Sequence, residues 1–405
     1  MKVLYFHQHF STPSGATGTR SYEMAQRLIS RGHSVLMVCG SFQGGVSGLT
    51  VGFKKGSRRG IVNGLEVLEF QLPYSNIDSF LKRTGVFLRF ALSSIRVVLS
   101  EKYDLVFATT TPLTAGIPGI VARWFRSKPF VFEVRDLWPE LPKAMGVIRN
   151  PVLLKLMSIL EWVSYHSASR CVGLSPGIVE GIKKCGIKEE LVTMISNGCD
   201  LDFFSNAQPS AIKGVKKSDF VAIYTGTHGL ANGVNAALNA ARELKNRNRQ
   251  DIKLCFIGSG RLKPDLIDQA KRDELDNCIF LDPIPKADLA CCLKRADLGM
   301  QLLKNIPSFY YGTSPNKFYD YLATGLPVLN NYPGWLADLI QDNQCGFAIP
   351  PDSPSAFADA LEAAADDRVS LKEMGQHSVE LAGRMFDRNK LADQFVNWLE
   401  GAAGC

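Results

Sequence analysis

Residues 298–329, LGMQLLKNIPSFYYGTSPNKFYDYLATGLPVL, run strand, loop, helix, glycine, strand. The apolar runs at the two ends are short enough for buried strands, and the middle carries helix punctuation. Ser314 is placed as an N-cap, and Pro315 falls at the first helical position, where a missing N–H costs nothing. Gly325 is placed to end the helix, and Pro327 to open the next strand. The same alternation extends in both directions. Towards the amino terminus, KVLYF, HSVLMVC, DLVFATT, PFVFEV, SRCVGLS and VTMIS read as buried strands. Amphipathic helices separate most of them, among them TRSYEMAQRLISRG, closed by Gly32. From about residue 219 the series begins again with FVAIYTGT, IKLCFIGSG, CIFLDPI, LGMQLL, LPVLNN and CGFAIPP. Two such series predict an α/β protein of two doubly wound, Rossmann-like domains, each a parallel sheet covered on both faces. Residues 1–200 make the first domain, 201–380 the second, and 381–405 a helical segment with Trp398 as apolar anchor. The polar, irregular stretch 196–214 reads as the connection. Ligands of such sheets sit outside the carboxyl ends of the strands, so two of them facing each other would line one cleft with their loops.

Composition excludes several classes. The 405 residues are 46% hydrophobic and 21% charged, the balance of an ordinary globular protein. No run of about 18 uncharged apolar residues occurs, so no spanning helix is expected. MKVLYFHQHF reads as a first strand, not a signal peptide. Ten scattered cysteines without a C-x-x-C pair fit a reducing cytoplasm and argue against structural zinc. Of the net charge of +7, residues 1–200 carry 24 Lys+Arg against 14 Asp+Glu, and the remainder 22 against 25. The first half is therefore expected to meet something anionic, with a solvated basic surface as the alternative. Aromatic–basic interleaving of the kind that stacks nucleic acid is not evident.

The helix start at 314–320 has a chemistry of its own. The free amides of Asn316 and Lys317 point out of the first turn, where the macrodipole adds positive character. A phosphate there would be held by those amides and by the Lys317 ammonium. Asp320 follows one turn later, where a carboxylate can accept two hydrogen bonds from a ribose diol. Diphosphate on the cap and ribose on the acid make a nucleotide site; a capped helix with an incidental Lys–Asp pair is the alternative.

SPNKFYDYLATG, together with GATGTRSYEMAQRLISRGHSV, FEVRDLWPE and the TGT…NG…LNAA opening of the second half, resembles the family 4 retaining glycosyltransferases of the GT-B fold. The likeness is strongest to the bacterial O-antigen subgroup that includes L-fucosamine transferases. That family is marked by two glutamates separated by seven residues, the second on the ribose and the first near the donor sugar. Asp320 occupies the second position, and the first falls on Gly312. Where many members carry Arg and Lys to grip the diphosphate, the loop here reads TGTHGLANG and offers Gly226, Thr227, His228 and Asn232. Lys317, Arg261 and Lys263 are the candidates for the missing charge. The resemblance also implies a base held by backbone groups near Ile284. It implies acceptor binding or activation by Arg135, Asp136 and Glu140, the candidate catalytic residues.

The remaining loops are less specific. STPSGATGTRSYE opens the first helix, with Gly15 permitting close backbone approach and Arg20 bringing charge to the helix start. Such a loop is a phosphate or sugar cradle or, equally, a tight structural turn. Arg135 paired to Asp136 or Glu140, merely fixing its loop, is the structural alternative there. His7 and His9 read as hydrogen-bonded structural histidines. Residues 80–100 form a basic amphipathic helix with Lys82, Arg89 and Arg96 spaced by seven; Phe87, Leu88, Ala91, Ile95, Val98 and Leu99 fall opposite. GFKKGSRRG (52–60) reads as a second basic loop. The helix could lie on an anionic bilayer or pack on the core with a solvated basic face.

Taken together, these features describe a cytoplasmic enzyme, peripheral on the inner face of the membrane. It would move an N-acetylamino sugar from a UDP-sugar to a polyprenyl-diphosphate-linked glycan of a surface polysaccharide. No cofactor is expected beyond the donor itself. No D-x-D lies where a metal–diphosphate bridge would want one, so metal-independent chemistry is expected. A UDP-sugar 2-epimerase of similar architecture and a non-catalytic nucleotide-sugar-binding partner are the two alternatives.

Overall fold

The computed structural model describes every residue except Ala16, Asn76, Ile77 and Cys405. Two compact units emerge. The first comprises Met1–Ser196, Gly312–Ser314 and the chain from Asn389 onward, and the second Asn197–Tyr311 and Pro315–Arg388. The first sheet is built from β1 (Lys2–Phe6), β2 (Ser34–Gly40), β3 (Ser57–Val62), β4 (Leu65–Phe70), β5 (Leu105–Thr109), β6 (Phe130–Val134), β7 (Arg170–Gly173) and β8 (Val192–Met194). Their order is β3-β4-β2-β1-β5-β6-β7-β8, parallel throughout except for the β3–β4 hairpin.

That hairpin was not among the expected strands. Asn63 (φ 50°) and Gly64 (φ 78°) both adopt the left-handed conformation that a two-residue hairpin turn demands. Half of the expected basic loop thus becomes strand, and its arginines are neutralised: Arg58 pairs with Glu69, and Arg59 with Glu66 and Glu101.

Both faces of the first sheet are covered, because alternate residues of each strand point to opposite sides. Val3, Tyr5, Met37 and Phe107 pack against Met24 and Leu28 of α1 (Arg20–Ser30). Leu4, Phe6, Val106 and Phe132 pack on the other face, against a layer of helices. This layer contains α2 (Phe80–Ser100), α3 (Ile117–Phe125) and α4 (Pro151–Ser167), which contribute Phe90, Ala122 and Tyr165.

The second sheet holds β9 (Phe220–Thr225), β10 (Ile252–Ile257), β11 (Cys278–Leu281), β12 (Leu298–Gln301), β13 (Val328–Asn330) and β14 (Gly346–Ala348), all parallel, in the order β11-β10-β9-β12-β13-β14. The helix of the opening stretch is α5 (Asn316–Thr324), and Gly325 ends it in the left-handed conformation (φ 81°). Residues 381–405 are not a separate segment. The final helix α6 (Arg388–Ala403) buries Leu391, Phe395 and Leu399 in the first unit's core. Arg27–Asp393 and Arg31–Glu400 ion pairs and a His33–Glu400 hydrogen bond fix it there.

Candidate functional site

In the second unit the site grows from the carboxyl ends of β9 and β10 and the start of α5. The loops after the two strands stack backbone on backbone: His228 N donates to Ser259 O (2.8 Å), and Leu262 N to His228 O (3.0 Å). Gly258 and Gly260 allow this approach. A Cβ on Gly258 would stand 1.9 Å from Gly226 O, and one on Gly260 2.5 Å from His228 O. Gly226 and Thr227 remain exposed at the rim.

Lys317 enters from the first turn of α5. Its Nζ donates to Tyr224 Oη (3.1 Å) and lies 4.3 Å from the Tyr224 ring centroid, while Tyr224 Oη donates to Thr227 O (2.7 Å). No carboxylate pairs with it among the described residues, and burial lowers its pKa from 10.5 to about 7. The first-turn amides of Asn316 and Lys317 have no intrahelical partner. The cap itself differs from expectation by one residue. Pro315, extended at φ −75° and ψ 128°, is the N-cap, and it provides no side-chain cap bond to this helix. Asp320 is half-buried one turn on. Burial raises its pKa, while Lys286 and Arg388 oppose the rise and Asp200 adds to it.

The other expected donor-side groups are placed differently. Lys263 Nζ donates to Gly258 O (2.9 Å), Leu281 O (2.8 Å) and Asp282 (2.7 Å), so its charge holds the loop together. The His228 ring is fully buried near Tyr224, Phe256 and Phe280 with both nitrogens unpaired; burial, then Lys263, push its pKa down to about 4. This residue shapes the loop through its backbone. Arg261 is exposed and pairs with no acid among the described residues. Ile284 is half-buried in the loop after β11, and its backbone N–H and C=O make no backbone bond there.

In the first unit the candidate residues gather at the ends of β1, β5 and β6. Arg135 N donates to Thr110 Oγ1 (2.8 Å), and its guanidinium meets His7 Nε2 at 3.3 Å rather than Asp136. Arginine can only donate, so His7 accepts at Nε2 and stays neutral; burial, then Arg135, hold its pKa well down. Thr111 Oγ1 donates to Asp136 Oδ2 (3.3 Å), and burial raises the Asp136 carboxyl against the pull of Arg135. Glu140 is exposed at the start of a short helix, Glu140–Ala144. Beside these groups, His7 Nδ1, both Gln8 side-chain polar atoms, His9 Nε2 and Trp138 Nε1 are buried without partners. Unpaired polar atoms concentrated at strand ends are what a polar ligand would satisfy.

Arg20 and Gly15 are packed within the first unit. The buried Arg20 guanidinium donates twice to Glu133 (3.0 and 2.7 Å) and to the carbonyls of Ser196 (2.6 Å) and Ile195 (2.8 Å). Burial would raise the Glu133 carboxyl, but Arg20, Arg135 and Thr109 hold it below its ordinary value. Gly15 lies where a Cβ would collide with Ser11 Oγ at 2.2 Å, the mark of a tight turn.

Two doubly wound units, one with a lysine-bearing helix start at its strand ends, define a protein of the GT-B type. Sequence comparison agrees: a "Glycosyl transferase 4-like domain" matches residues 15–198 and "Glycosyl transferases group 1" matches 207–380, so the chain belongs to the glycosyltransferases that pair these domains. It is similar to the D-rhamnosyltransferase WbpZ of Pseudomonas aeruginosa, 23% identical over 235 residues, covering 57% of this chain and 59% of that one. The chain spans about half the length of the curated relatives it matches (46–59%). Among solved structures, sucrose-phosphate synthase from Thermosynechococcus elongatus superposes with a TM-score of 0.77 at 15% identity, over 99% of this chain and 98% of that one. Anabaena HepE in complex with UDP gives 0.67 at 16%, over 99% and 100%.

Proposed function

We propose that the chain transfers a sugar from a UDP-sugar to a lipid-linked glycan, with retention of configuration and without a metal. The sugar is read as an N-acetylamino sugar, and the product as a bacterial surface polysaccharide of the O-antigen or capsule kind, assembled at an anionic membrane surface by a protein of the cytoplasm. The observation that carries this reading is Lys317, a half-buried amine without a carboxylate partner at the open amides of α5. A diphosphate seated there would restore its proton and receive charge-assisted hydrogen bonds. Asp320, one turn on, suits the ribose diol, and the open backbone groups of Ile284 suit the edge of a uracil. As the sugar–phosphate bond lengthens, negative charge grows on the leaving diphosphate; Lys317 and the helix start are already in place to stabilise it.

On the acceptor side, His7, Arg135 and Asp136 stand at the strand ends of the first unit, with unpaired polar atoms among them. No pair of carboxylates flanking a bond can be named, so retention is read as attack on the face from which the leaving group departs.

The test is a thermal-shift panel of nucleotides and nucleotide-sugars. UDP and one UDP-sugar are expected to stabilise the protein by ~2.7 kcal/mol at a hundred times their Kd. Stabilisation by another nucleoside diphosphate and not by UDP would refute the donor assignment. A new nucleotide-sugar formed from donor alone would identify an epimerase instead.

A further inference from the structure

We propose that the outer surface of the α2–α3–α4 layer docks on an anionic lipid bilayer. Three stripes run along α2. Val86, Phe90, Ser94 and Val97 are buried on the sheet side. Leu81, Leu88, Leu92 and Leu99 form an exposed leucine stripe, and Lys82, Arg89 and Arg96, one residue or about 100° around the helix, an exposed cationic one beside it. The expected wheel, with leucines buried opposite the cations, is therefore incomplete: Leu88 and Leu99 face water. α4 repeats the pattern with exposed Val152, Leu156 and Ile159 at i, i+4, i+7, beside Lys155, and α3 ends in exposed Trp124 and Phe125. Leu81 is 81% exposed and Phe125 73%. Side chains so apolar, so open and so regularly spaced are not scattered surface hydrophobics.

The three helices form one contiguous surface on the same face of the first sheet. Arg126 Nη1 donates to Leu99 O (2.7 Å), Thr114 Oγ1 to Phe87 O (3.5 Å), and a Cβ on Gly116 would stand 2.7 Å from Ser164 Oγ. From these contacts α2 extends ~10 Å, and α4 ~20 Å, beyond the start of α3 at 1.5 Å per residue. That start follows the carboxyl end of β5, so the overshooting turns, with Leu81, Val152 and Leu156, lie on the side of the sheet that holds Arg135 and Asp136.

Charge selects the occupant. The three helices hold six Lys/Arg (Lys82, Arg83, Arg89, Arg96, Arg123 and Lys155) and one acid, Glu161. Lys82 pairs with Asp78, but Arg89, Arg96, Arg123 and Lys155 are exposed and pair with no acid among the described residues. A second copy of this chain would set cations against cations. An anionic bilayer accepts both stripes at once: leucines enter the acyl boundary while the neighbouring cations reach lipid phosphates. The proposal takes its purpose from the lipid-linked acceptor above, not its geometry.

The test is co-sedimentation of the full chain with phosphatidylglycerol/phosphatidylethanolamine vesicles and with phosphatidylcholine vesicles, without donor or acceptor. Binding to the anionic vesicles is expected to be at least tenfold tighter. Leu81→Ser/Leu88→Ser/Leu92→Ser and, separately, Arg89→Glu/Arg96→Glu are each expected to weaken it tenfold or more, with melting and UDP-induced stabilisation unchanged. Trp124 and Trp162 should move tryptophan emission to the blue on anionic vesicles. No binding, equal binding to both lipids, or indifference to both variants would overturn the proposal. So would a solution dimer that the leucine variant turns into monomer. Because UDP stabilisation is read in the same samples, lost docking with intact UDP binding sinks the docking face alone, and the converse sinks only the donor reading.

Discussion

Replacing Lys317 with Met separates what the lysine costs the free protein from what it contributes to a bound diphosphate. Its pKa falls from 10.5 to about 7 because burial disfavours the charged form and no acid compensates. At ~1.36 kcal/mol per pH unit, that gap corresponds to at most ~5 kcal/mol of destabilisation when the amine is fully protonated. Losing the Tyr224 hydrogen bond and ring contact takes back ~1–2 kcal/mol. Lys317→Met should therefore stabilise the ligand-free protein, by roughly 1–3 kcal/mol at pH 7. The sign with pH follows from linkage. Between about 7 and 10.5 the unfolded chain binds a proton at this site that the folded protein does not, so this site's contribution to stability rises with pH across that window and is flat below it. The variant lacks that slope. UDP binding moves the other way: one charge-assisted hydrogen bond, ~1.5–3 kcal/mol, is removed, and Kd weakens about 10- to 100-fold. In the wild type, affinity should also fall as pH rises above 7, because the amine must then take up a proton to bind. Urea melts and calorimetric UDP titrations at pH 6.5, 7.5 and 9 read all of these. A variant less stable than wild type, or one binding UDP within twofold of it, would refute the reasoning.

Asp320→Ala should weaken UDP about 10- to 100-fold, the value of a charged acceptor on two hydroxyls, and deoxyribose analogues of UDP should bind wild type and variant alike in calorimetric titrations. Arg20→Ala leaves the Glu133 carboxylate buried without its main partner and should cost ~3–5 kcal/mol in urea melts, with UDP affinity unchanged. Glu133 now sits below its ordinary 4.5, so its pairing stabilises the wild type above that value and is lost as pH falls through the lower folded one. In the variant burial raises it, and lowering the pH from 7 to 5 should recover stability in the variant relative to wild type.

The strand series and the glycine stop at Gly325 were legible because they are local: apolar runs of strand length, and a residue free to adopt φ 81°. The cap was misread by one residue. The chain enters α5 through an extended Pro315 (φ −75°, ψ 128°) and not through Ser314. The β3–β4 hairpin was readable, since Asn-Gly at 63–64 between alternating residues is its signal. Arg20 looked like a substrate cation because its partner lies 113 residues away. The clue was Glu133, a charge inside the apolar strand FVFEV that could not be buried alone. Nothing local announces Tyr224 as the platform for Lys317, or the backbone carbonyls that occupy Lys263. Those depend on which loops stack.

Net charge acquires meaning only after internal pairs are subtracted. Arg20 is buried on Glu133, Arg58 and Arg59 answer glutamates on β4 and beyond, and Arg27 and Arg31 meet Asp393 and Glu400. The last two acids come from α6, which returns to the first unit from the acidic half of the sequence, so part of the apparent asymmetry closes through topology. Of the exposed cations that pair with no acid among the described residues, Arg89, Arg96, Arg123 and Lys155 share one layer of helices with its exposed leucines. A merely soluble surface would need neither the leucines nor so few acids, since interspersed charges of both signs keep a protein in solution at lower cost. Apolar and cationic stripes held side by side, with one acid to six cations, are a pattern that a surface both apolar and anionic accounts for.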